Sequence, residues 1–331
     1  MRADPVTDDP TAVPARSGDW PQISVVIESF TPGEHAARGL AVPDPVATVE
    51  AVSGQLAGSR YEIVVVTGAG TAACLGERLA GRPGVRVVAS DGPTYYSQKN
   101  DAVLDTRGPI VAFIDGDCMP GHDWASSALG SLEGGADAVT GPVTYPRGFF
   151  SRTMSYFDFG GVVDDRNGEA TNLFANNVAF RREVLLAHPF DARIRRSGGC
   201  FLLTRRLKAD GCRLAFNRDM TCTHGASYRR MGWLNHRMRN GHDAVNLRRF
   251  DDGGVLPHQW LSRLGLFGAP IIVAGRVRGD MVRTVRSRRD LGLSWNIVPW
   301  LWLASVPMRA LEGLAYAVSS VRPSLIGRRW G

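Results

Sequence analysis

Two aspartates, Asp115 and Asp117, stand one residue apart at the end of the apolar run over residues 109–114. Carboxylates at the carboxyl end of a buried strand lie where open α/β sheets bind their ligands. Such a pair can hold a hard divalent cation against a diphosphate, and the cation then acts as a Lewis acid. An Asp-Gly step after a strand is equally typical of a turn. The motif alone therefore leaves metal-assisted chemistry and a simple turn both open.

The segments around these aspartates predict the elements that position them. Short β-branched apolar runs over residues 23–27, 62–66, 85–90 and 109–115 alternate with helical spacing over 43–56, 71–80 and 97–106. This alternation predicts βαβ units with a parallel sheet and right-handed crossovers. After Asp117 the rhythm changes, and we expect helices over 123–133, 181–187 and 201–210, a strand over 212–217, and an irregular stretch from Tyr145 to Thr171.

Further motifs follow in a fixed order along the chain. They are SVVI at residues 24–27, Gln55, YSQKNDA at 96–102, FIDGDCMP at 113–120, NNVAFRR at 176–182, His224, and HRMRNG at 236–241. This order resembles that of family 2 glycosyltransferases over about two-thirds of the chain. The resemblance implies an α/β GT-A fold with a mostly parallel central sheet flanked by helices. It also implies transfer of a sugar from a nucleotide-sugar donor with inversion at the anomeric centre.

The resemblance also implies roles for individual residues. Asp117, Asp115 and His224 would hold Mg²⁺ or Mn²⁺, and Asp115 would lie near the ribose and diphosphate. The donor-binding candidates are Glu28, Gly68, Lys99, Asn100, Asp115, Arg237 and Arg239. A histidine without a ligand and a solvated helix face remain open alternatives for His224 and for the two arginines.

The end of the second predicted strand departs from the family pattern. The family's Asp-Asp-Gly-Ser is replaced by Thr67-Gly68-Ala69-Gly70, so the donor base is left open among UDP-, GDP- and dTDP-sugars. Glu28 is the nearest acidic substitute. The same glycines fit the dinucleotide fingerprint G-x-G-x-x-A, with Asp91 about twenty residues on. An NAD(P)-dependent oxidoreductase is therefore the rival interpretation, although it leaves the FIDGD motif unexplained.

A second departure concerns the general base. The family's acidic pair before the last strand is replaced by Gly199-Cys200, and neither residue accepts a proton as a carboxylate does. Asp191 is our first candidate for a relocated base, with Asp164 or Asp165 as alternatives. Two further possibilities stay open: the acceptor is a phosphate that needs no base, or the chain is an inactive GT-A binding protein.

Composition divides the 331 residues into three regions. Residues 1–20 are rich in acids and prolines and predict a disordered tail, 21–250 the GT-A domain, and 251–331 a basic, Trp-rich helical region. Tryptophan flanked by arginine is typical of a helix that lies in a membrane interface, whereas a buried helix pair or a homodimer contact is the alternative.

Charge and cysteine content suggest the setting. The net charge is +7, and Lys99 and Lys208 are the only lysines, so arginine supplies nearly all of the positive charge. Because the planar guanidinium group of arginine suits phosphates, we expect anionic partners such as a phosphate or an anionic membrane surface. Five cysteines without a CxxC pair argue against a disulfide scaffold. We expect a cytoplasmic protein at the inner face of the cell membrane that binds a nucleotide-sugar and an unidentified acceptor, and no nucleic acid.

Overall fold

The computed structural model describes residues 20–29, 44–146, 148–165, 167–194, 197–225, 232–256 and 259–325. Some predictions fall wholly or partly outside these residues, among them the tail over residues 1–20 apart from Trp20 and the start of the first helix at Pro43.

The described residues form ten strands in two sheets. In chain order they are β1 (Ile23–Glu28), β2 (Tyr61–Gly68), β3 (Val85–Ser90), β4 (Ile110–Asp115), β5 (Cys118–Pro120), β6 (Ala138–Thr140), β7 (Val143–Thr144), β8 (Asn177–Arg181), β9 (Leu214–Phe216) and β10 (Cys222–His224). The main sheet has the order β3-β2-β1-β4-β8-β6-β9, in which β8 alone runs antiparallel to its neighbours. The prediction of a mostly parallel α/β sheet is confirmed.

Helices cover both faces of this sheet. They are α1 (Pro45–Gln55), α2 (Ala69–Leu79), α3 (Tyr95–Leu104), α4 (Trp124–Glu133), α5 (Phe149–Phe159), α6 (Arg182–Ala187), α7 (Gly199–Ala209), α8 (Gly232–Arg249), α9 (Gly268–Arg286) and α10 (Val298–Val321). Short 3-10 helices span Gln259–Phe267 and Trp295–Ile297. Because both faces are covered, β1 is buried along its whole length, as its apolar sequence predicts.

Local signals fix where the helices begin next to the strand ends. Asp44 caps α1 by accepting a hydrogen bond from the Val46 N–H group. Thr94 and Ser97 form a reciprocal capping box at the start of α3. These caps set the ends of the helices that flank the carboxyl edge of the sheet, where Asp115 closes β4.

A three-stranded sheet, β5-β10-β7, lies beyond the main sheet. Its antiparallel register places His224 opposite Cys118, one residue after Asp117. The prediction of an irregular stretch between Tyr145 and Thr171 is wrong in part, because α5 occupies residues 149–159. This helix buries Met154, Tyr156 and Phe157 against the C-terminal region, so a tertiary contact stabilises it.

The C-terminal helices pack on α8 through close backbone contact and buried charge. Gly241 of α8 faces the carbonyl oxygen of Glu312 on α10, where a side chain would not fit. The Glu312 carboxylate accepts hydrogen bonds from Arg237 of α8 at 3.0 Å and from Arg309 at 2.9 Å. Within the described residues, no helix has both the length and the apolar content needed to cross a bilayer.

Candidate active site

A cavity of about 380 Å³ opens beyond the carboxyl end of β4 and is closed on its far side by α8, α9 and α10. Its polar lining includes Asp115, Asp158, His224, Asp243, Arg276 and Glu312. The cavity therefore lies between the predicted transferase domain and the C-terminal helices, and both contribute charged groups to it.

Asp115 is held by two donors from α3. Its Oδ1 atom accepts a hydrogen bond from Lys99 Nζ at 2.7 Å, and the Tyr95 hydroxyl lies 2.9 and 3.0 Å from the two carboxylate oxygens. Lys99 is fully buried, with its ammonium group over the Tyr95 ring. Burial, together with the charge of Asp115, raises the pKa of Tyr95, so the phenol remains a donor. Glu28 stands beside Asp115 in the register of β1 with β4.

Asp117 faces His224 across the small sheet. Asp117 Oδ2 lies 3.5 Å from His224 Nδ1, and the Cys118 Sγ atom lies 3.7 Å from Asp117 Oδ1. One ligand atom from each of these three side chains falls within 4.8 Å of the others. Burial raises the pKa of Asp117, while the neighbouring imidazole of His224 lowers it. The arrangement brings together two of the predicted metal ligands.

The backbone between the two aspartates is tightly constrained. Thr48 donates from its hydroxyl to the carbonyl oxygens of Gly116 and Cys118 at 3.1 and 2.8 Å. A Cβ atom on Gly116 would lie 3.1 Å from both the Glu28 carbonyl oxygen and the Pro45 Cβ atom. The glycine between the aspartates therefore lies in a closely packed position, where a side chain would press on β1 and α1.

The place of the family's acidic pair is filled by an aromatic ring. Gly199 opens α7, and a Cβ atom there would collide with the ring of Tyr96. The Tyr96 hydroxyl lies 3.4 Å from the Cys200 Sγ atom and accepts a hydrogen bond from the Cys200 N–H group at 3.3 Å. Burial raises the pKa of Cys200, so its thiol stays protonated. Neither position supplies a base.

The geometry argues against Asp191 as the base. Arg193 binds its two oxygens at 2.9 and 2.7 Å, and these hydrogen bonds hold the pKa of Asp191 below its ordinary value. Arg206 adds a second cation at 3.4 Å, and Asp191 is not part of the cavity lining. The alternatives Asp164 and Asp165 line a separate groove beside α9, where Asp164 pairs with Arg218.

Three residues that were predicted to bind the nucleotide-sugar donor either contact other groups of the protein or lie outside the cavity lining. Arg237 is buried between Asp158 and Glu312, so its guanidinium is used in packing α8 against α5 and α10. The Asn100 side chain donates to the Phe190 carbonyl oxygen at 2.8 Å and accepts from its N–H group. Arg239 lies outside the cavity lining. A donor-phosphate role for Arg237 is therefore not supported, because its side chain is buried against these acids.

Other predicted residues take positions at the strand ends. Gly68 is the last residue of β2 and runs directly into α2. Several cavity residues were not assigned to the site from the sequence, among them Tyr95, Asp158 and Asp243. Tyr95 directly precedes the YSQKNDA motif at residues 96–102. The sequence around Asp158 and Asp243 does not indicate a functional role, because each residue reaches the cavity only through helix packing.

Comparison with known proteins shows the fold and a similarity of part of the chain to a glycosyltransferase family. The model described as glycosyl transferase family 2 matches residues 46–188. The glycosyltransferase AglE of Haloferax volcanii is 28% identical over 221 residues, which cover 62% of this chain and 67% of that protein. A solved structure, the mannosyltransferase PcManGT from Pyrobaculum calidifontis in complex with GDP-Man and Mn²⁺, has a TM-score of 0.59 at 17% identity, covering 96% of this chain and 90% of that one.

These matches favour the transferase over the oxidoreductase interpretation of the Gly68-Ala69-Gly70 segment. The structural likeness shows the GT-A fold, and the family-model match covers the strand that ends in Asp115. The chain has the GT-A fold, its residues 46–188 are similar to glycosyltransferase family 2, and it is a glycosyltransferase that uses a nucleotide sugar.

Proposed function

We propose that this glycosyltransferase transfers one sugar, with inversion, from a nucleoside-diphosphate sugar bound with a divalent metal at Asp117 and His224. The observation that carries the proposal is the approach of Asp117 Oδ2 to His224 Nδ1 at 3.5 Å, with His224 on the cavity wall. Two side chains that lie far apart in the chain converge there, whereas a simple turn after β4 would need neither.

The donor atoms fit Mg²⁺ or Mn²⁺. A carboxylate oxygen and an imidazole nitrogen suit Mn²⁺, and diphosphate oxygens complete the shell for either cation. The thiol of Cys118 is a poor third ligand, because burial raises its pKa and keeps it protonated. Asp115 already accepts hydrogen bonds from Lys99 and Tyr95, so we assign it to positioning the donor and not to direct metal contact. A bound cation would offset the charge that develops on the departing nucleoside diphosphate.

The donor base is proposed from the solved relative. The Pyrobaculum mannosyltransferase is in complex with GDP-Man and Mn²⁺, so GDP is the first nucleotide to test. UDP and dTDP follow, since the segment after β2 lacks the family's acid. Glu28, buried at the end of β1, remains our candidate for contact with the donor base.

Calorimetric titration tests this part of the proposal. We expect one of GDP, UDP and dTDP to bind the full chain in the presence of Mn²⁺ and to lose at least about tenfold in affinity on addition of EDTA. Asp117→Asn should abolish the metal dependence. Asp123→Asn is the matched control, because that aspartate is exposed and lies a few residues further along the chain. Equal nucleotide affinity of Asp117→Asn and the wild type would overturn the metal site.

We further propose that α10 holds the enzyme on an anionic membrane surface. Every exposed position of this helix is apolar: Pro299, Trp300, Trp302, Leu303, Val306, Pro307, Ala310, Leu314 and Val321. Its two charged residues, Arg309 and Glu312, are turned inward and are 8% and 1% exposed. This is the reverse of a surface helix in water, whose charged face points outward.

The charge around this face favours lipid as its occupant. Arg278 and Arg286 are exposed on α9, and Arg289 is exposed just after it. The three acidic residues within 259–325 point away from solvent. Asp280 and Glu312 are 1% exposed, and the side chain of Asp290 is 11% exposed. Arginines near an anionic bilayer contribute about 1 kcal/mol each. A second copy of the chain would instead bring the same cations to the contact.

Vesicle sedimentation tests the surface. The chain should bind vesicles of phosphatidylcholine with about 30% phosphatidylglycerol and should not bind pure phosphatidylcholine. Leu303→Glu, at a position 68% exposed, should weaken binding about tenfold or more. Leu104→Glu, 71% exposed on α3, is the matched control. A dimer in light scattering that Leu303→Glu dissociates, with no vesicle binding, would overturn the membrane assignment in favour of a homodimer.

A further inference from the structure

Asp243 lies beside the place that the family's acidic pair has vacated. It projects from α8 into the same cavity as Asp115 and His224. Its Oδ2 atom accepts a hydrogen bond from the Ser197 N–H group at 3.2 Å, two residues before Gly199. The segment that opens α7 therefore still has a carboxylate next to it, although that carboxylate comes from another helix.

The local packing fixes Asp243 in this position. Ser197 also donates from its hydroxyl to the Asn240 Oδ1 atom at 3.0 Å, one helical turn before Asp243. Gly198 adopts a φ of 92°, and a Cβ atom there would lie 2.9 Å from a methyl group of Leu247, one turn after Asp243. Three consecutive turns of α8 thus contact the loop over residues 197–198.

The other carboxylates of the cavity are committed to cations. Asp115 is paired with Lys99 at 2.7 Å. Asp158 is paired with Arg237, and Glu312 with Arg276 and Arg309. Among the described residues no lysine or arginine lies within ion-pair distance of Asp243. Of these four groups, it is the one whose protonation does not break an ion pair.

Its surroundings also suit proton transfer. Burial raises the pKa of Asp243, against the lowering effects of the Ser197 hydrogen bonds and of the nearby His242 and Arg239. A carboxylate with a raised pKa accepts a proton more readily in the transition state.

We infer that Asp243 is the general base of this enzyme and that the acceptor nucleophile is a hydroxyl group. The inference rests on the proposed transfer from a nucleotide sugar. The acceptor oxygen bonds to the anomeric carbon, its proton passes to Asp243 Oδ, and the bond from the anomeric carbon to the β-phosphate oxygen breaks. The nucleoside diphosphate leaves with that electron pair. An anionic phosphate acceptor has no proton to give and would not need Asp243.

The test separates this residue from the donor site. Wild type, Asp243→Asn and Asp191→Asn are supplied with GDP-, UDP- and dTDP-sugars and Mn²⁺, and with octyl glucoside or farnesyl phosphate as acceptor. We expect transfer to octyl glucoside to fall about 10²–10⁴-fold in Asp243→Asn, the range typical of general-base loss. Nucleotide affinity should stay within about twofold, and Asp191→Asn should retain the wild-type rate. Asp243→Ala should recover activity on addition of formate.

Each other outcome has a defined meaning. Failure of the wild type to bind any nucleotide with metal would refute the proposed function itself. Nucleotide binding with transfer only to farnesyl phosphate, or a wild-type rate in Asp243→Asn, would refute the base. Nucleotide binding without transfer and without donor hydrolysis would refute it too, since a base in this cavity would activate water. A loss in Asp243→Asn that formate does not restore in Asp243→Ala would reduce the residue to a structural role.

Discussion

Replacing Glu312 by glutamine should remove the central anion that joins the C-terminal helices to the transferase domain. The carboxylate is 1% exposed and contacts the guanidinium groups of Arg237, Arg276 and Arg309. Burial alone would raise the pKa of Glu312, but these three cations outweigh it and hold the pKa at about 2. Burial lowers the pKa of Arg237 to about 10, so this arginine still carries its charge at neutral pH.

The size of the effect follows from this pKa. A carboxyl group that titrates at 4.5 in the unfolded chain and at about 2 in the folded chain stabilises the fold by about 3 kcal/mol at pH 7. The loss measured for breaking a buried ion pair is similar, about 3–5 kcal/mol. Glu312→Gln should therefore lower the free energy of unfolding by about 3 kcal/mol and leave three arginines close together.

The sign of the pH dependence can be worked out directly. The folded-state pKa lies below the unfolded-state value, so the stabilisation is fully present above about pH 4.5 and is lost as the pH falls toward 2. The difference in unfolding free energy between wild type and Glu312→Gln should consequently be constant from pH 7 to about 5. It should then shrink in more acidic solution.

Urea unfolding followed by circular dichroism at several pH values measures this difference. Glu133→Gln is the matched control, because Glu133 is exposed on α4, and its replacement should change stability by less than about 0.5 kcal/mol. A loss below about 1 kcal/mol in Glu312→Gln would refute the reasoning. So would a loss that stays constant down to about pH 3, since that would reflect packing and not charge.

Two further substitutions probe single contacts. Gly241→Ala should destabilise the chain by about 1–3 kcal/mol in urea unfolding, because its Cβ atom would collide with the Glu312 carbonyl oxygen and lie 2.7 Å from the Ala315 Cβ atom. Gly54→Ala, in α1 with no atom within 4 Å, should instead stabilise by up to about 1 kcal/mol, and equal signs for the two would contradict the packing. Lys99→Met should cost about 3–5 kcal/mol in the same assay by leaving Asp115 buried without its cation, and a loss below about 1 kcal/mol would contradict that pairing.

Apart from β5, the strands and helices described within the first 133 residues were predictable because local pattern and tertiary environment agree there. The run that forms β1 is apolar on both faces, and both faces are buried. The helix over residues 149–159 was missed for the opposite reason. Its hydrophobic residues pack on Leu293, Ile297 and Leu301, which lie far along the chain in the C-terminal region. No pattern within α5 reveals that partner.

The residues of the candidate site also differ in how far the sequence could predict their roles. Asp117 and His224 were identified as a pair because family order connects residues that the chain keeps far apart, and the structure brings them to 3.5 Å. Arg237 was given a phosphate role because an arginine on a basic helix suggests an anion. The anions it meets are Asp158 and Glu312, and the sequence of α8 alone does not indicate which side of the helix faces α10.

The sequence shows that the family's acidic pair is absent, but it does not show which residue takes over the role of general base. Gly199 and Cys200 were visible as a departure, and the structure shows why no acid returns there: the Tyr96 ring occupies the space that a side chain on Gly199 would need. Asp243 lies far from Gly199 in the chain, on a helix whose role in the fold is to pack on α10. A change in that packing would therefore move the proposed base as well as the C-terminal helices, so Gly241→Ala should slow transfer more than it weakens nucleotide binding.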